Sequence, residues 1–227
     1  MKSLEEGVIN MAKGIVFFDC DGVLTTTRSS WKLLHEYFGS IDNKYFAELY
    51  RKGLISYLDW MKIDVALMIH SYGKPIKRHE VEEALSKIDI REDAYDAVNR
   101  IKNMGLIVAV VSSGVGLLVK RVCREMDIDI CLYNELLFVD DELIPGGNPR
   151  VPPDKKDEII EEIANSLNIN MEKTVYIGDS SWDIPIFKKV GLGIALKPCD
   201  DDARIHADYV VDRLSEIPGI IESRFLS

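Results

Sequence analysis

No apolar run in this chain approaches the roughly 18 residues needed to cross a bilayer, and the N-terminus lacks the hydrophobic core of a secretory signal. Membrane-spanning and signal-directed readings are therefore excluded, and a cytoplasmic setting is expected. Cysteine is sparse. Cys20, Cys123, Cys131 and Cys199 form no Cys-x-x-Cys pair, so neither a zinc site nor a secreted disulfide framework is expected. Basic charge is in deficit: 28 Lys and Arg face 38 Asp and Glu, a net charge of −10, which argues against nucleic acid or an acidic membrane as partner. Internal repeats and low-complexity segments are absent. What is present is a chain of 227 residues, 47% hydrophobic, enough to bury the core of one α/β domain with a small insert. A homodimer stays open.

The residues that carry chemistry lie at the ends of apolar runs. Ile15 to Phe18 reads as a buried strand that stops at Asp19-Cys20-Asp21-Gly22. Carboxylates so close in sequence repel unless a divalent cation or a shared proton relieves them. An Asx turn closing a strand would use the same residue types. The rest of the chain decides against that bland reading. Leu106 to Val111 is a second apolar run, ending at Ser112-Ser113-Gly114, and Thr174 to Ile177 is a third, ending at Gly178-Asp179-Ser180-Ser181-Trp182-Asp183. Buried strands of a parallel sheet deliver their ends to one edge, so these hydroxyls and carboxylates converge where α/β sheets hold ligands. Between the second and third runs, Pro152-Pro153-Asp154-Lys155-Lys156 opens a segment with Ile159, Ile160, Ile163 and Leu167 at helical spacing. It brings a cation to a helix start. Alone, Ser112 would read as a helix cap and Lys156 as a solvated charge; convergence reverses both.

In this order the segments resemble the haloacid dehalogenase superfamily of phosphotransferases. Asp19-Cys-Asp21-Gly22 matches its first motif, the strand ending in Ser112 its second, Lys156-Asp-Glu its third, and Gly178-Asp179-x-x-x-Asp183 its fourth. Residues 105–212 also resemble the phosphoserine phosphatase branch, in Val108-Ala-Val-Val-Ser112, Lys156-Asp-Glu-Ile-Ile160, Ile186-Phe-Lys-Lys-Val-Gly191 and Ala207-Asp-Tyr-Val210; that likeness stops short of residues 25–90. The resemblance implies a Rossmann-like, doubly wound parallel sheet with a helical cap inserted after the first strand. It implies Asp19 as the nucleophile that becomes an aspartyl-phosphate, and Asp21 as acid and base, its backbone carbonyl also a metal ligand. Mg²⁺ is the implied cofactor, with Asp179 as a direct ligand and Asp183 binding through water or orienting the lysine. Ser112, the amides of Ser113 and Gly114, and Lys156 would bind the substrate phosphate. Lys155 competes with Lys156, which is preferred because the family lysine directly precedes such an acidic pair.

Within the superfamily, a carboxylate at Asp21 favours phosphatases and phosphomutases over dehalogenases and transport ATPases. A phosphonatase would need a cap lysine, but Lys32, Lys44, Lys52 and Lys62 read as solvated helix positions. The core is expected over residues 1–26 and 91–227, with residues 1–12 as an extension without catalytic work. The cap, residues 27–90, is expected to hold about four helices, from Trp31, Leu34, Tyr37 and Phe38, Phe46, Leu49 and Tyr50, Leu58, Met61, Val65 and Met68, and Val81, Leu85 and Ile88. Ser56 and Asp59 fit a helix start, Gly73-Lys74-Pro75 fits a break, and the aromatic and methionine residues read as cap core. A hairpin is expected around Asp140-Asp141. The functional reading is a Mg²⁺-dependent phosphatase acting on a small phosphorylated metabolite; a phosphomutase, or a phosphometabolite-binding protein without catalysis, are the alternatives. Phosphoserine itself fits poorly. Its phosphatases place a glutamate after the first motif and an arginine in the cap, where this chain has Arg28 and, on a looser alignment, Asp64; Arg28 is the candidate specificity residue.

Overall fold

The computed structural model describes residues 12–42 and 44–226, so the extension expected over residues 1–12 lies, but for Ala12, outside the described residues. Strand β1 (Ile15–Phe18) is fully buried and central to a seven-stranded sheet of order β4-β3-β2-β1-β5-β6-β7. Its neighbours are β2 (Ile107–Val115) and β5 (Thr174–Gly178), both parallel to it; β3 (Ile130–Val139), β6 (Leu192–Leu196) and β7 (Tyr209–Val211) continue the parallel run, and only β4 (Glu142–Asn148) is antiparallel. The expected doubly wound α/β sheet is thus observed. Alternation along the strands feeds two interiors: Val16, Phe18, Val108, Val110, Val175 and Ile177 face one, while Ile15, Phe17, Ile107, Ala109, Val111 and Tyr176 face the other.

Register sets the functional edge. Phe18 pairs with Val110 on one side and Ile177 on the other, so Asp19, Ser112 and Asp179 emerge within two residues of one line across three strands. The chain leaves β1 for β2 on one side and returns to β5 on the other, which makes this the switch point of the sheet.

Between β1 and β2 come α1 (Ser30–Tyr37), α2 (Lys44–Arg51), α3 (Tyr57–Tyr72), α4 (Arg78–Ser86) and α5 (Glu92–Asn103). The start of α3 is the expected one: Ser56 and Asp59 cap each other's backbone, and Gly73 closes the helix in the left-handed region at φ 73°. A bridge between Thr25 and Ile90 pins the entry and exit of this segment together. Arg91 adds hydrogen bonds of 2.9 Å to the carbonyls of Val23 and Gly22. Leu34, Phe38, Val65, Met68 and Val81 belong to the same apolar cluster as Val16 and Phe18, so the interior runs unbroken from sheet to helices.

Strand β2 runs on through Ser112, Ser113 and Gly114 to Val115, where the sequence suggested a stop, because a register shift against β3 lets the chain bulge and still pair Val115 with Asn134. Then come α6 (Gly116–Glu125), the β3–β4 hairpin with Asp140 and Asp141 at its tip, α7 (Lys156–Ser166), α8 (Ile184–Phe187), α9 (Asp201–His206) and α10 (Ile217–Arg224). One expectation is corrected. Cys123 on α6 and Cys131 on β3 form a disulfide. The turn between helix and strand brings their Cα atoms to 6.4 Å, a proximity that their spacing in the sequence does not announce. Cys20 is buried in the core, and burial pushes its thiol pKa well up. Among the described residues, no helix is long and apolar enough to cross a membrane.

Candidate functional site

Asp19 follows β1 directly. Its Oδ1 accepts the amide hydrogen of Cys20 at 2.7 Å, and its Oδ2 receives the ammonium of Lys156 in a short contact. Lys156 also donates to Asp183 Oδ1 at 3.2 Å and to the Tyr176 hydroxyl at 3.4 Å. All of these groups are buried. Burial opposes the charge on Lys156, but Asp183 and Asp19 outweigh it and hold the ammonium above the ordinary lysine range. Burial raises Asp19, against the opposing pull of Lys156. Lys155, the competing assignment, is exposed and paired with Glu158 at 2.7 Å, away from this cluster.

Asp183 has no free oxygen. Oδ1 takes Lys156 and the Tyr176 hydroxyl (2.6 Å), and Oδ2 takes the amides of Asp179 and Ser180 and the Ser180 hydroxyl. Its part here is to fix the lysine and the turn after β5. Asp179 differs. Burial first, and then the carboxylates of Asp19 and Asp183, push it up to about 8, and among the described residues its one ion pair is with Arg28 Nη1 at 3.9 Å. Its carboxylate lies against Gly22, where a Cβ would fall 2.2 Å from Oδ2, and Gly22 has φ +74°. Only glycine satisfies both conditions. Oxygen atoms of Asp19, Asp179 and Asp183 all lie within 4.8 Å of one another, an all-oxygen donor set that fits a hard divalent cation.

Asp21 points to the other side. Its Oδ2 accepts the amide and hydroxyl of Ser30 at 2.7 and 2.6 Å, its Oδ1 has no hydrogen-bond partner among the described residues, and burial lifts it to about 6 against those two bonds. The Ser30 hydroxyl in turn accepts the amide of Val115 at 2.9 Å. Ser112 is buried and its hydroxyl accepts the Gly114 amide at 3.2 Å; the Ser113 hydroxyl is buried without a partner. Helix α6 starts at Gly116, two residues later than the expected amide donors. The Ser113 carbonyl takes three donors: Trp31 Nε1 at 3.1 Å, the Tyr57 hydroxyl at 3.0 Å and Asn134 Nδ2 at 3.0 Å. Asn134 also exchanges hydrogen bonds with both backbone groups of Val151, upstream of Lys156, and so ties the second and third motifs together.

Above these groups lies a cavity of about 310 Å³. Asp19, Asp21, Ser112, Ser113, Gly114, Lys156, Asp179 and Arg28 all line it, whereas Asp183 sits behind. Arg28 is half exposed and donates to the Lys197 carbonyl at 3.1 Å. Asp64 lines the far wall, buried, with His35 Nε2 at 3.4 Å. Lys44 reaches the rim, while Lys32 and Lys62 make surface pairs with Glu36 and Asp59. Trp31, expected in the cap core, forms part of the wall, together with Tyr57 and Trp60, which the helical spacing left unassigned. Sequence reasoning missed Ser30, Tyr176 and Asn134.

The sequence profile of the haloacid dehalogenase-like hydrolases matches residues 14–191. The chain belongs to this family. Among its relatives, the phosphoserine phosphatase of Methanocaldococcus jannaschii is 30% identical over 184 residues, covering 81% of this chain and 85% of its own. A solved phospho-aspartyl intermediate analogue of phosphoserine phosphatase superposes with a TM-score of 0.76 at 27% identity, covering 93% of this chain and 99% of its own. A substrate-bound phosphoserine phosphatase complex gives 0.76 at 26% identity, over 92% and 97%. This hydrolase therefore lies in the phosphoserine phosphatase-like branch. The family match over residues 14–191 and the 184 aligned residues of the first relative take in the helical segment, so the likeness expected to stop at residues 25–90 continues through them in sequence as well as in fold.

Proposed function

We propose that this haloacid dehalogenase-type phosphatase hydrolyses a small phosphomonoester through an aspartyl-phosphate on Asp19, with Mg²⁺ as cofactor. The observation that carries the reading is the buried Asp19–Lys156–Asp183 clasp beside Asp179, a carboxylate that burial and repulsion leave short of positive charge. Asp19, Asp179 and the backbone carbonyl of Asp21 would hold Mg²⁺, which when bound neutralises charge between nucleophile and phosphate. Asp19 Oδ2 attacks phosphorus and the ester oxygen departs. Asp21 supplies the departing oxygen with a proton; its free Oδ1 is the atom available, since Ser30 occupies Oδ2. The same group then takes a proton from water, which attacks the acyl phosphate and releases phosphate. Lys156, the Ser112 hydroxyl and the Ser113 and Gly114 amides carry the phosphate charge, and Asp183 keeps Lys156 in place.

Residues 27–90 serve as the cap on this reading, and Arg28, at their start, selects among leaving groups. The cap meets the core where the Tyr50 hydroxyl donates to Asp154 and the Arg51 guanidinium lies 4.5 Å over the ring of Trp182. A soluble metabolite as substrate and a cytoplasmic setting accord with the acidic charge balance. Phosphate release from p-nitrophenyl phosphate in the presence of Mg²⁺ is the direct test. Asp19→Asn is expected to fold and to lose at least roughly 10³-fold in kcat; steady-state hydrolysis by the folded variant would rule out the covalent route, and isomerisation of a sugar phosphate would favour a mutase.

A further inference from the structure

The wall opposite the phosphate site is aromatic. Trp31 from α1, Tyr57 and Trp60 from α3, and Trp182 from the turn after β5 come from three separated parts of the chain and border one cavity. Tyr57, Trp60, Met61 and Asp64 recur at the spacing of a single helix face, so α3 turns that whole face toward the cavity. Tyr57 and Trp60 meet edge to face at 5.8 Å. The Trp182 ring is steadied by the Arg51 guanidinium. Tyr57, Trp60 and Trp182 belong to a small cluster of their own, which Trp31 joins to the main interior, and Trp31, Trp60 and Trp182 are only half-buried there.

Several charges on this wall already face a partner. Asp64 faces His35, and Arg28 faces Asp179 and the Lys197 carbonyl. Asp42 and Lys44 also border the cavity, but a zwitterionic amino-acid head placed against the ring faces would exchange water for apolar surface. A flat ring loses little on leaving water and gains stacking or edge contacts with the indoles. The space, at about 310 Å³, lies at the lower end of the ~300–1,000 Å³ typical of small-molecule pockets, suited to one ring and a phosphate. We propose that the substrate is a phosphomonoester whose alcohol half carries an aromatic ring one or two carbons from the ester oxygen. The proposal rests on the phosphatase reading above and narrows its substrate class.

Benzyl phosphate, cyclohexylmethyl phosphate, phosphoserine and a hexose 6-phosphate all release a primary alcohol, so their relative kcat/KM reports recognition more than leaving-group chemistry. With Mg²⁺ present, benzyl phosphate is expected to exceed cyclohexylmethyl phosphate by about tenfold, the scale of one aromatic contact, and to exceed the other two by more. Trp60→Leu should bring the benzyl-to-cyclohexylmethyl ratio close to one, and Trp60→Phe should restore much of it. Turnover that is equal for the two, or greatest for phosphoserine or the hexose phosphate, overturns the proposal while the phosphatase reading stands. Binding to Asp19→Asn, followed by quenching of tryptophan fluorescence, decides independently of turnover. Affinity for benzyl phosphate no greater than for cyclohexylmethyl phosphate refutes the ring preference even if the enzyme hydrolyses neither, whereas failure to hydrolyse any phosphomonoester, p-nitrophenyl phosphate included, removes the phosphatase reading itself.

Discussion

At the floor of the cavity, Asp19, Lys156 and Asp179, with Asp183 behind them, stand on elements of one sheet edge, and most of their polar atoms are taken up by one another or by backbone amides. At the far wall, Trp31, Tyr57 and Trp60 stand on inserted helices and present mainly faces and edges of rings. The floor is charged and densely hydrogen-bonded, so its geometry is fixed before any ligand arrives. The wall makes few directional demands, so it can differ between relatives while the floor stays the same. On the proposed function, reaction type is thus set in one region and choice of substrate in the other.

Breaking the floor should cost stability as well as rate. Lys156→Met leaves Asp19 and Asp183 buried without their shared cation, and a loss of about 3 kcal/mol or more in unfolding free energy is expected, read by urea denaturation. A variant as stable as the parent would mean that the lysine is not the charge that holds this edge together. Asp179→Asn separates metal binding from folding. Metal-free parent protein should gain melting temperature on addition of Mg²⁺, and the variant should need a higher Mg²⁺ concentration for the same gain and for part of the rate. A fall in rate that no Mg²⁺ concentration relieves would contradict its assignment as a ligand.

The smallest effect belongs on the insert, away from either surface of the cavity. Glu80 accepts the Lys77 amide at 2.8 Å, the Tyr72 hydroxyl at 2.6 Å and Lys74 Nζ at 3.0 Å, and, led by the amide bond, these lower its pKa to about 2. Because the folded value is depressed, its stabilisation is present above the ordinary 4.5 and is lost as pH falls toward about 2. Glu80→Gln should therefore cost about 1 kcal/mol at neutral pH, with the difference from the parent shrinking between those limits. A difference independent of pH would show that the cap acts through shape and not through charge.

The floor was legible because its residues end apolar runs: a carboxylate after Ile15 to Phe18 or after Thr174 to Ile177 interrupts a pattern. Tyr176 escaped because, inside such a run, it reads as one more apolar strand residue, although its hydroxyl reaches Asp183. Ser30 looks like a helix-start serine, and only the fold brings it to Asp21. Asn134 lies in mid-strand, where nothing local marks it as the joint between the second and third motifs. Periodicity placed the insert helices and most of their buried positions, but it cannot tell a ring that fills a core from one that borders a void. The Cys123–Cys131 pair was missed because closure depends on the angle between α6 and β3, which no spacing encodes.

The unbroken apolar interior has a mechanical consequence. Swinging all the inserted helices away from the sheet would pull Leu34, Phe38, Val65, Met68 and Val81 out of the cluster they share with Val16 and Phe18. At ~1.5–3 kcal/mol for each such side chain exposed, the work is on the order of 10 kcal/mol, comparable with the whole stability of a domain. Helix α2 is tethered differently: among its described residues only Tyr50 is buried, and it belongs to the small cluster beside the cavity. Lifting α2 alone would therefore expose far less apolar surface than parting the inserted helices from the sheet.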